Sequence, residues 1–251
     1  MKRLFIIIFS ILFLNCFNDI NNMKLEIDKL DKNLKAKRPE YYSKLQKPLS
    51  EEEISELEKE YNKIIPPDLK ELYLWKNGQS QDCYEAFVNN SMFEPLEYIL
   101  SGNQEFTEMI GYDFEIENWW NENWLPLFSN GSGNYICYDT KGIFTGEKGQ
   151  LIEYWNKDND RNVIAPNLSE FLKKLNQYYE ENTKEDFDAF FDISYNIKQW
   201  RKKIIVSTPI KTKDNLNAEE SPYKIEDKVT NIESHKKIKK KNFWNRLFKN
   251  K

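Results

Sequence analysis

Apolar residues recur at helical spacing in residues 50–78, where the pattern predicts two helices separated by a proline break. Ser50 and Glu53 have the spacing of a capping box, which starts the first helix. Pro66 and Pro67 end it, and Pro67 or Asp68 can start a second helix, which Gly78 is placed to terminate. The apolar face of the first helix is made by Ile54, Leu57, Tyr61 and Ile64.

Short β-type runs dominate the middle of the chain. In residues 124–139 two such runs flank Asn130-Gly131-Ser132-Gly133, which is a strong hairpin signal. Further turn signals at Gly142 and Gly149 lead into another run over residues 151–155. The pattern predicts an antiparallel meander of three or four strands. Before it, residues 84–88 read as one more short strand and residues 96–100 as part of a helix.

Helical spacing returns after the meander. Asn167 and Glu170 can cap a helix whose stripe is continued by further apolar residues, and Thr183 with Asp186 can begin another. The expected fold class is therefore α+β, an antiparallel β-sheet meander flanked by N-terminal and C-terminal helices. The first stripe comprises Leu168, Phe171, Leu172, Leu175, Tyr178 and Tyr179, and the second Phe187, Phe190, Phe191, Ile197 and Ile204.

The first 16 residues have the pattern of a lipoprotein-type signal segment. Lys2 and Arg3 precede an apolar run that is too short to span a bilayer, and Cys16 follows as a candidate for lipidation. The match to a lipobox is imperfect, because Phe13 and Asn15 stand where Leu and a small residue are usual. The alternative is translation from Met23 and a cytoplasmic location. Residues 17–47 are rich in Asn, Lys and Asp, and Ile27, Leu30 and Leu34 keep only a weak helical spacing, so a mostly solvated stalk is expected.

The other end of the chain is polar and basic. Residues 207–251 are expected to be a disordered linker and a basic amphipathic tail, since aromatics thin out from about Ser207. Eight Lys or Arg and no acid occupy residues 236–251. A membrane contact is the leading interpretation, with a partner's groove, an RNA or simple solvation as alternatives. The apolar residues proposed for this contact share one helical face and are Phe243, Trp244, Leu247 and Phe248.

Charge divides the chain into an acidic body and this basic end. The net charge is −4, but residues 207–251 carry twelve Lys or Arg against six Asp or Glu. That segment is +6, so residues 1–206 carry −10. An acidic body disfavours direct binding of nucleic acid, because phosphate contacts need a basic surface. It favours a basic protein partner.

Candidate catalytic chemistry is sparse. The single histidine, His235, lies in the tail, which removes His-dependent nucleophiles and leaves improbable zinc ligand sets. The glycines of residues 131–133 precede a strand, so a hairpin turn is favoured over a phosphate loop. No cofactor or metal site is predicted. Cys83 and Cys137 could pair after export, but two ordinary thiols are favoured.

One acidic and aromatic stretch, residues 113–122, has two interpretations. Paired carboxylates beside tryptophans can form a glycosidase cleft, whereas acidic runs are usually solvated and clustered tryptophans usually belong to a core. We expect no enzyme and regard the stretch as a tentative partner-binding site. Its members are Asp113, Glu115, Glu117, Trp119, Trp120 and Glu122.

The order of these segments resembles the SUKH superfamily, the Smi/Knr-type domain of bacterial immunity proteins and fungal cell-wall regulators. The resemblance spans roughly residues 48–175, although Asn134 stands where many members have Asp. Its residues include the helix with Ile54, Leu57 and Glu58, Pro66-Pro67, Leu69, Leu72, Asn77-Gly78, Trp124-Leu125-Pro126, Gly133-Asn134, Asp139 and the segment from Ile164 to Leu172.

This resemblance implies an α+β domain that binds protein without catalysis. We expect the domain to occupy residues 48–206, including a helical extension from Thr183 to Val206 that lies outside the matched part. The resemblance implies an immunity-type protein that neutralises a toxin, with an envelope or cell-wall scaffolding lipoprotein as the alternative. Most matched residues, such as Trp124, Gly133 and Phe171, are expected to specify the fold. Asp139 is expected to end a strand. With Cys16 lipidated, the protein is expected in the bacterial cell envelope, attached to the membrane.

Overall fold

The computed structural model describes residues 21–183, 187, 191, 193 and 202–211. Two compact units divide the chain, Met1–Ile210 and Lys211–Lys251, and the fold below belongs to the first. Its elements are α1 (residues 21–37), α2 (Pro39–Ser43), α3 (Glu51–Glu60), α4 (Pro67–Trp75), β1 (Met92–Phe93), α5 (Leu96–Glu108), β2 (Trp124–Ser129), β3 (Tyr135–Asp139), β4 (Gln150–Tyr154), β5 (Val163–Ala165) and α6 (Leu168–Glu181).

The five strands form one antiparallel sheet in chain order, β1-β2-β3-β4-β5, with helices before and after it. This confirms the α+β class. The β2–β3 hairpin also forms as expected, with Ser129 opposite Tyr135. The Asn130 side chain accepts hydrogen bonds from the backbone N–H groups of Ser132 and Asn134, which fixes the turn. Gly133 has φ +88°, and a Cβ there would lie 2.6 Å from the Asn156 amide nitrogen.

Two of the three helix starts expected from side-chain caps are present, and Asp186 of the third lies outside the described residues. Ser50 and Glu53 form the reciprocal capping box of α3, and the Asn167 side chain accepts from the Glu170 backbone N–H at the start of α6. The apolar stripe of α6 is buried against the sheet, where the rings of Phe128 and Phe171 stack at 5.9 Å. These contacts form the principal core, which covers one face of the sheet.

The expected solvated stalk is wrong from residue 21 onward. Those residues form α1, and their apolar side chains are part of the principal core. Asn176 of α6 donates to the Glu26 backbone oxygen at 2.8 Å and to its carboxylate at 2.9 Å, which fixes α1 against α6. The weak helical spacing that sequence reading assigned to solvent is a buried stripe. Its residues, with those of α2 and the following loop, are Met23, Ile27, Leu30, Leu34, Tyr41 and Leu45.

The opposite face of the sheet is covered by a second cluster, which we call the aromatic layer: Phe106, Trp120, Trp124 and Tyr154. Successive residues of a strand point to opposite faces, so Ile136 and Tyr138 join the principal core while Tyr135 and Cys137 face this layer. The Trp120 ring lies 4.7 Å from Phe106 and 5.2 Å from Tyr154. Cys83 and Cys137 are both free and buried, so they do not pair.

Two local expectations are corrected. Helix α4 ends at Trp75, and Gly78 does not cap it. Gly78 does have φ +73°, but the reason is a close approach, because a Cβ there would lie 2.5 Å from the Pro95 nitrogen. Residues 84–88 form no strand, since Val88 makes only an isolated bridge with Ser91.

The C-terminal boundary also differs from the expectation. Residues 202–210 are extended and pair with the body of the domain, so Ile204 is not part of a helix and the linker does not begin at Ser207. Val206 is buried in this segment. The described fold therefore runs from residue 21 to residue 210. Phe190 and Ile197 of the expected helix lie outside the described residues.

Candidate functional site

The acidic and aromatic stretch lies in the loop of residues 109–123, between α5 and β2. The buried amide of Asn103 on α5 donates to the backbone oxygens of Glu122 at 2.9 Å and Trp124 at 2.8 Å. The Lys63 ammonium donates to the same Glu122 oxygen at 2.9 Å. Backbone bonds with Thr208 and Ile210 hold Glu117 and Glu115 from the other side. The loop is therefore fixed at its C-terminal end and along one edge.

The structure separates the six residues proposed from the sequence. The carboxylates of Asp113, Glu115, Glu117 and Glu122 are exposed, as a partner-binding site requires. Trp119 is half-buried. Trp120 is only 2% exposed within the aromatic layer, so its assignment as a contact residue is wrong. Its large apolar ring is buried under the loop, and this burial fixes the loop on the sheet.

Arg161 is the residue that sequence reading missed. Its side chain is fully buried, and its guanidinium lies between two rings, 4.7 Å from Trp119 and 4.5 Å from Tyr154. Its Nε donates to the Trp119 backbone oxygen at 3.0 Å. Nη1 donates to the backbone oxygens of Trp155, Asp158 and Asp160. Arg161 thus joins the acidic loop to the β4–β5 connection.

Burial lowers the pKa of Arg161 to about 10, because the charged form loses water. The side chain is still protonated at neutral pH. Nη2 has no hydrogen-bond partner among the described residues, and the charge is compensated by carbonyl oxygens and ring faces. Nothing in the local pattern marks it, apart from its being the only arginine between Arg38 and Arg201.

Negative charge extends well beyond this loop. Residues 77–140 contain eleven Asp or Glu and no Lys or Arg. Helix α5 presents two of these carboxylates to solvent, and Tyr98 and Tyr112 are 42% and 62% exposed nearby in the chain. Asp82 and Glu85 pair with Lys44 and Arg38, whereas the other six exposed members make no ion pair with a described residue. We call them the acidic surface: Glu97, Glu108, Asp113, Glu115, Glu117 and Glu122.

The pKa of Tyr61, at the end of α3, shows that α5 lies close to it. Burial raises this pKa first, and the neighbouring charges of Glu60, Glu97 and Glu105 raise it further. Carboxylates of α3 and α5 therefore lie close together near Tyr61.

Glu94, between β1 and α5, is half-buried beneath this region. Burial raises its pKa to about 7, and a hydrogen bond with Ser129 opposes the shift. Its folded-state pKa lies above the usual 4.5, so the folded state holds this proton more tightly than the unfolded chain. The stability contributed is present below pH 4.5 and is lost as the pH rises towards 7.

Replacing Glu94 by Gln should therefore flatten the pH dependence of stability. We expect the free energy of unfolding of the wild type to fall by up to about 3 kcal/mol between pH 5 and pH 8 through this group, and the variant to lose that slope. Urea unfolding at several pH values measures it. Glu97→Gln, at an exposed position three residues on, is the matched control. An unchanged slope in Glu94→Gln would contradict the assignment.

Asp139 has a structural role at the end of β3. The buried carboxylate of Asp139 accepts from the backbone N–H groups of Lys141, Gly142 and Ile143, and from the Gln150 amide. Asp139 thus ends β3, as expected, and organises the turn that follows. Within the described ranges, no group of three His, Cys, Asp or Glu side chains could hold a metal ion.

These features define an α+β domain with a five-stranded antiparallel sheet. Helices and the principal core cover one face of the sheet, and the aromatic layer with the acidic loop covers the other. The model of the SMI1 / KNR4 family (SUKH-1) matches residues 48–174, about half of the chain. The protein belongs to this family, which confirms the resemblance found in the sequence. A comparison with curated proteins gives no match.

Several sequence-based assignments lie outside the described residues. These are Cys16 and the four apolar side chains of the tail, Phe243, Trp244, Leu247 and Phe248. Among the residues that the structure does describe, no helix has both the length and the apolarity needed to cross a membrane.

Proposed function

We propose that this domain is a non-catalytic module that binds a basic partner protein through the acidic surface, as an immunity-type protein neutralising a toxin. The observation that carries the proposal is the run of residues 77–140, which supplies eleven carboxylates and no positive side chain. The six members of the acidic surface make no ion pair with any described residue. A basic partner would give them the opposite charges that they lack within the fold.

Charge of this kind acts mainly on the rate of association. Complementary potentials guide the encounter between two proteins and disfavour partners of the wrong sign. Tyr98 and Tyr112 add exposed aromatic area, a residue type enriched at the centres of protein interfaces. The loop is also fixed through Arg161, Asn103 and Trp120, so little conformational entropy would be lost on binding. A toxin with a basic active cleft fits this surface.

The family includes immunity proteins, which supports toxin neutralisation as the biological role. Co-expression of a neighbouring toxin gene with this chain tests that role directly. Rescue of growth by the wild type, and loss of rescue when the acidic surface is reversed, is the expected result. Binding without rescue would favour an envelope scaffold instead.

Charge reversal of the loop should slow association. We expect the triple variant Glu115→Lys, Glu117→Lys and Glu122→Lys to associate about 10–100-fold more slowly at low salt, with a smaller change in dissociation. Added salt should shrink the difference. The measurement is surface plasmon resonance against the partner captured by the wild-type chain from cells of the same or competing strains.

The matched control reverses three exposed glutamates outside the acidic surface. Glu40→Lys, Glu147→Lys and Glu180→Lys change the net charge by the same amount but lie on α2, on the β3–β4 connection and on α6. The control should retain most of the wild-type association rate. If both triple variants slow association equally, net charge matters and the acidic surface is not the binding site.

We also propose that the protein is anchored in the envelope through lipid on Cys16, in which case an envelope-acting toxin is the appropriate partner. The change Cys16→Ser should then move the protein from the membrane fraction to the soluble fraction, because the lipid is attached through that thiol. Fractionation and N-terminal sequencing measure the result. A mature N-terminus at Met23 would contradict the anchor.

A further inference from the structure

The extended segment of residues 202–210 lies alongside β5 at the edge of the sheet, in the position of a further strand. Lys202 exchanges two backbone hydrogen bonds with Val163 of β5, at 2.8 and 3.0 Å. The Arg161 N–H donates to the Ile204 oxygen at 2.8 Å, and the Val206 N–H donates to the Asn159 oxygen at 2.9 Å. The same pattern continues at Thr208 and Ile210, which bond to the acidic loop. Every even-numbered residue of the segment is thus bonded inward.

The odd-numbered residues face the other way. In an extended chain the backbone groups alternate in direction, so the N–H and C=O groups of Lys203, Ile205 and Ser207 point away from β5. None of the three makes a backbone hydrogen bond with a described residue. Their side chains are exposed, and Ile205 is 54% exposed. We call these three residues the open edge.

The open edge has rigid support and a defined end. Val206 is 6% exposed on the inner side, so the segment is anchored by a buried side chain as well as by backbone bonds. Pro209 has no N–H to donate, which ends the run of available donors. The open edge therefore offers three N–H and three C=O groups in a fixed extended conformation. An added β-strand uses such groups, and strand addition is a known mode of peptide recognition.

Charge decides which strand fits. Lys203 belongs to the open edge and Lys202 precedes it; both are exposed and make no ion pair with a described residue. Lysines on an edge strand oppose pairing with a second copy, which would bring like charges together. We propose that the open edge binds an extended acidic segment of a partner protein as an added antiparallel strand.

The geometry specifies the sequence pattern of that segment. Residues directly opposite in an antiparallel pair have neighbouring side chains, so a carboxylate belongs opposite Lys203 and an aliphatic side chain opposite Ile205. A second carboxylate belongs opposite Lys202. The peptide acetyl-Thr-Thr-Val-Thr-Glu-Glu-amide meets these requirements when its first residue lies opposite Ser207. This site shares no residue with the acidic surface and does not depend on the function proposed for it.

The test is an NMR titration of the full chain, ¹⁵N-labelled and carrying Cys16→Ser, with this peptide. We expect the amide signals of Lys203, Ile205 and Ser207 to shift, and those of the inward-bonded Ile204 and Val206 to shift less. A peptide with both Glu residues replaced by Lys should bind about tenfold more weakly or worse. Equal shifts with the two peptides, or no shifts at millimolar concentration, would overturn the proposal.

Two variants separate the edge from the fold. Ile205→Pro removes an N–H that bonds to no described residue. It should therefore abolish peptide binding while the fold is retained. Ile205→Thr is the matched control and should still bind the peptide. Lys203→Glu should reverse the preference between the two peptides, and it covers the case in which Ile205→Pro fails to fold. Peptide binding that is unaffected by Lys203→Glu would refute the site. Amide shifts that depend on protein concentration in the absence of peptide would also refute it, because they would indicate that a second copy occupies the edge.

Discussion

A chain that begins at residue 48 should fail to form a stable domain, although the family match begins there. Removal of residues 1–47 deletes six buried apolar side chains from the principal core. Burial of each such side chain contributes about 1.5–3 kcal/mol, and their sum is comparable to the whole stability of a domain, about 5–15 kcal/mol. Circular dichroism and urea unfolding should show a disordered or molten chain.

Point substitutions on α1 make the same test without a truncation. Leu30→Ala removes a fully buried side chain and should lower the free energy of unfolding by about 2–5 kcal/mol. Leu25→Ala is the matched control on the same helix, where the side chain is 52% exposed, and should cost less than about 1 kcal/mol. Equal effects of the two substitutions would show that α1 is not packed as described.

Replacement of Arg161 by Met should be the most disruptive single change on the opposite side of the sheet. Four backbone carbonyl groups lose a charged donor, and the stacking with Trp119 and Tyr154 is lost. Relief of the buried charge offsets part of this cost. We expect a net loss of about 2–4 kcal/mol in the free energy of unfolding.

A second measurement separates loop loosening from global destabilisation. Hydrogen exchange at the amides of residues 115–120 should accelerate in Arg161→Met even under conditions where the core remains protected. Arg161→Lys keeps the charge but lacks the planar group that spans two rings, so it should restore little. Lys157→Met, at an exposed position on the same connection, is the control and should leave both measurements near the wild type. Normal exchange in the loop of Arg161→Met would refute its role.

The fold is larger than the family match. The matched residues 48–174 contain the sheet and most helices, but α1 before them and the segment of residues 202–210 after them complete its packing. Variants designed on the family boundaries alone would expose one side of the principal core. Both additions also shape the candidate sites, because residues 208–210 hold the acidic loop and residues 203–207 form the open edge.

Local signals in the sequence determined much of this architecture. Ser50 with Glu53, Asn167 with Glu170, and the glycine-rich turn of residues 130–133 act over a few residues, and their backbone requirements are visible in the chain itself. The acidic character of residues 113–122 was equally plain, and four of its carboxylates are exposed as expected. Family membership followed from the order of these signals.

Only the tertiary structure decided where the ambiguous side chains lie. The spacing of Ile27, Leu30 and Leu34 is compatible with a solvated helix or a buried one. The choice depends on α6, about 140 residues away in the sequence, because α6 supplies Asn176 and apolar side chains that pack against α1. Trp119 and Trp120 are adjacent residues of the same type, yet Trp119 lies against Arg161 whereas Trp120 is buried among aromatic rings. Burial is a property of packing between distant segments, so local pattern restricts it without fixing it.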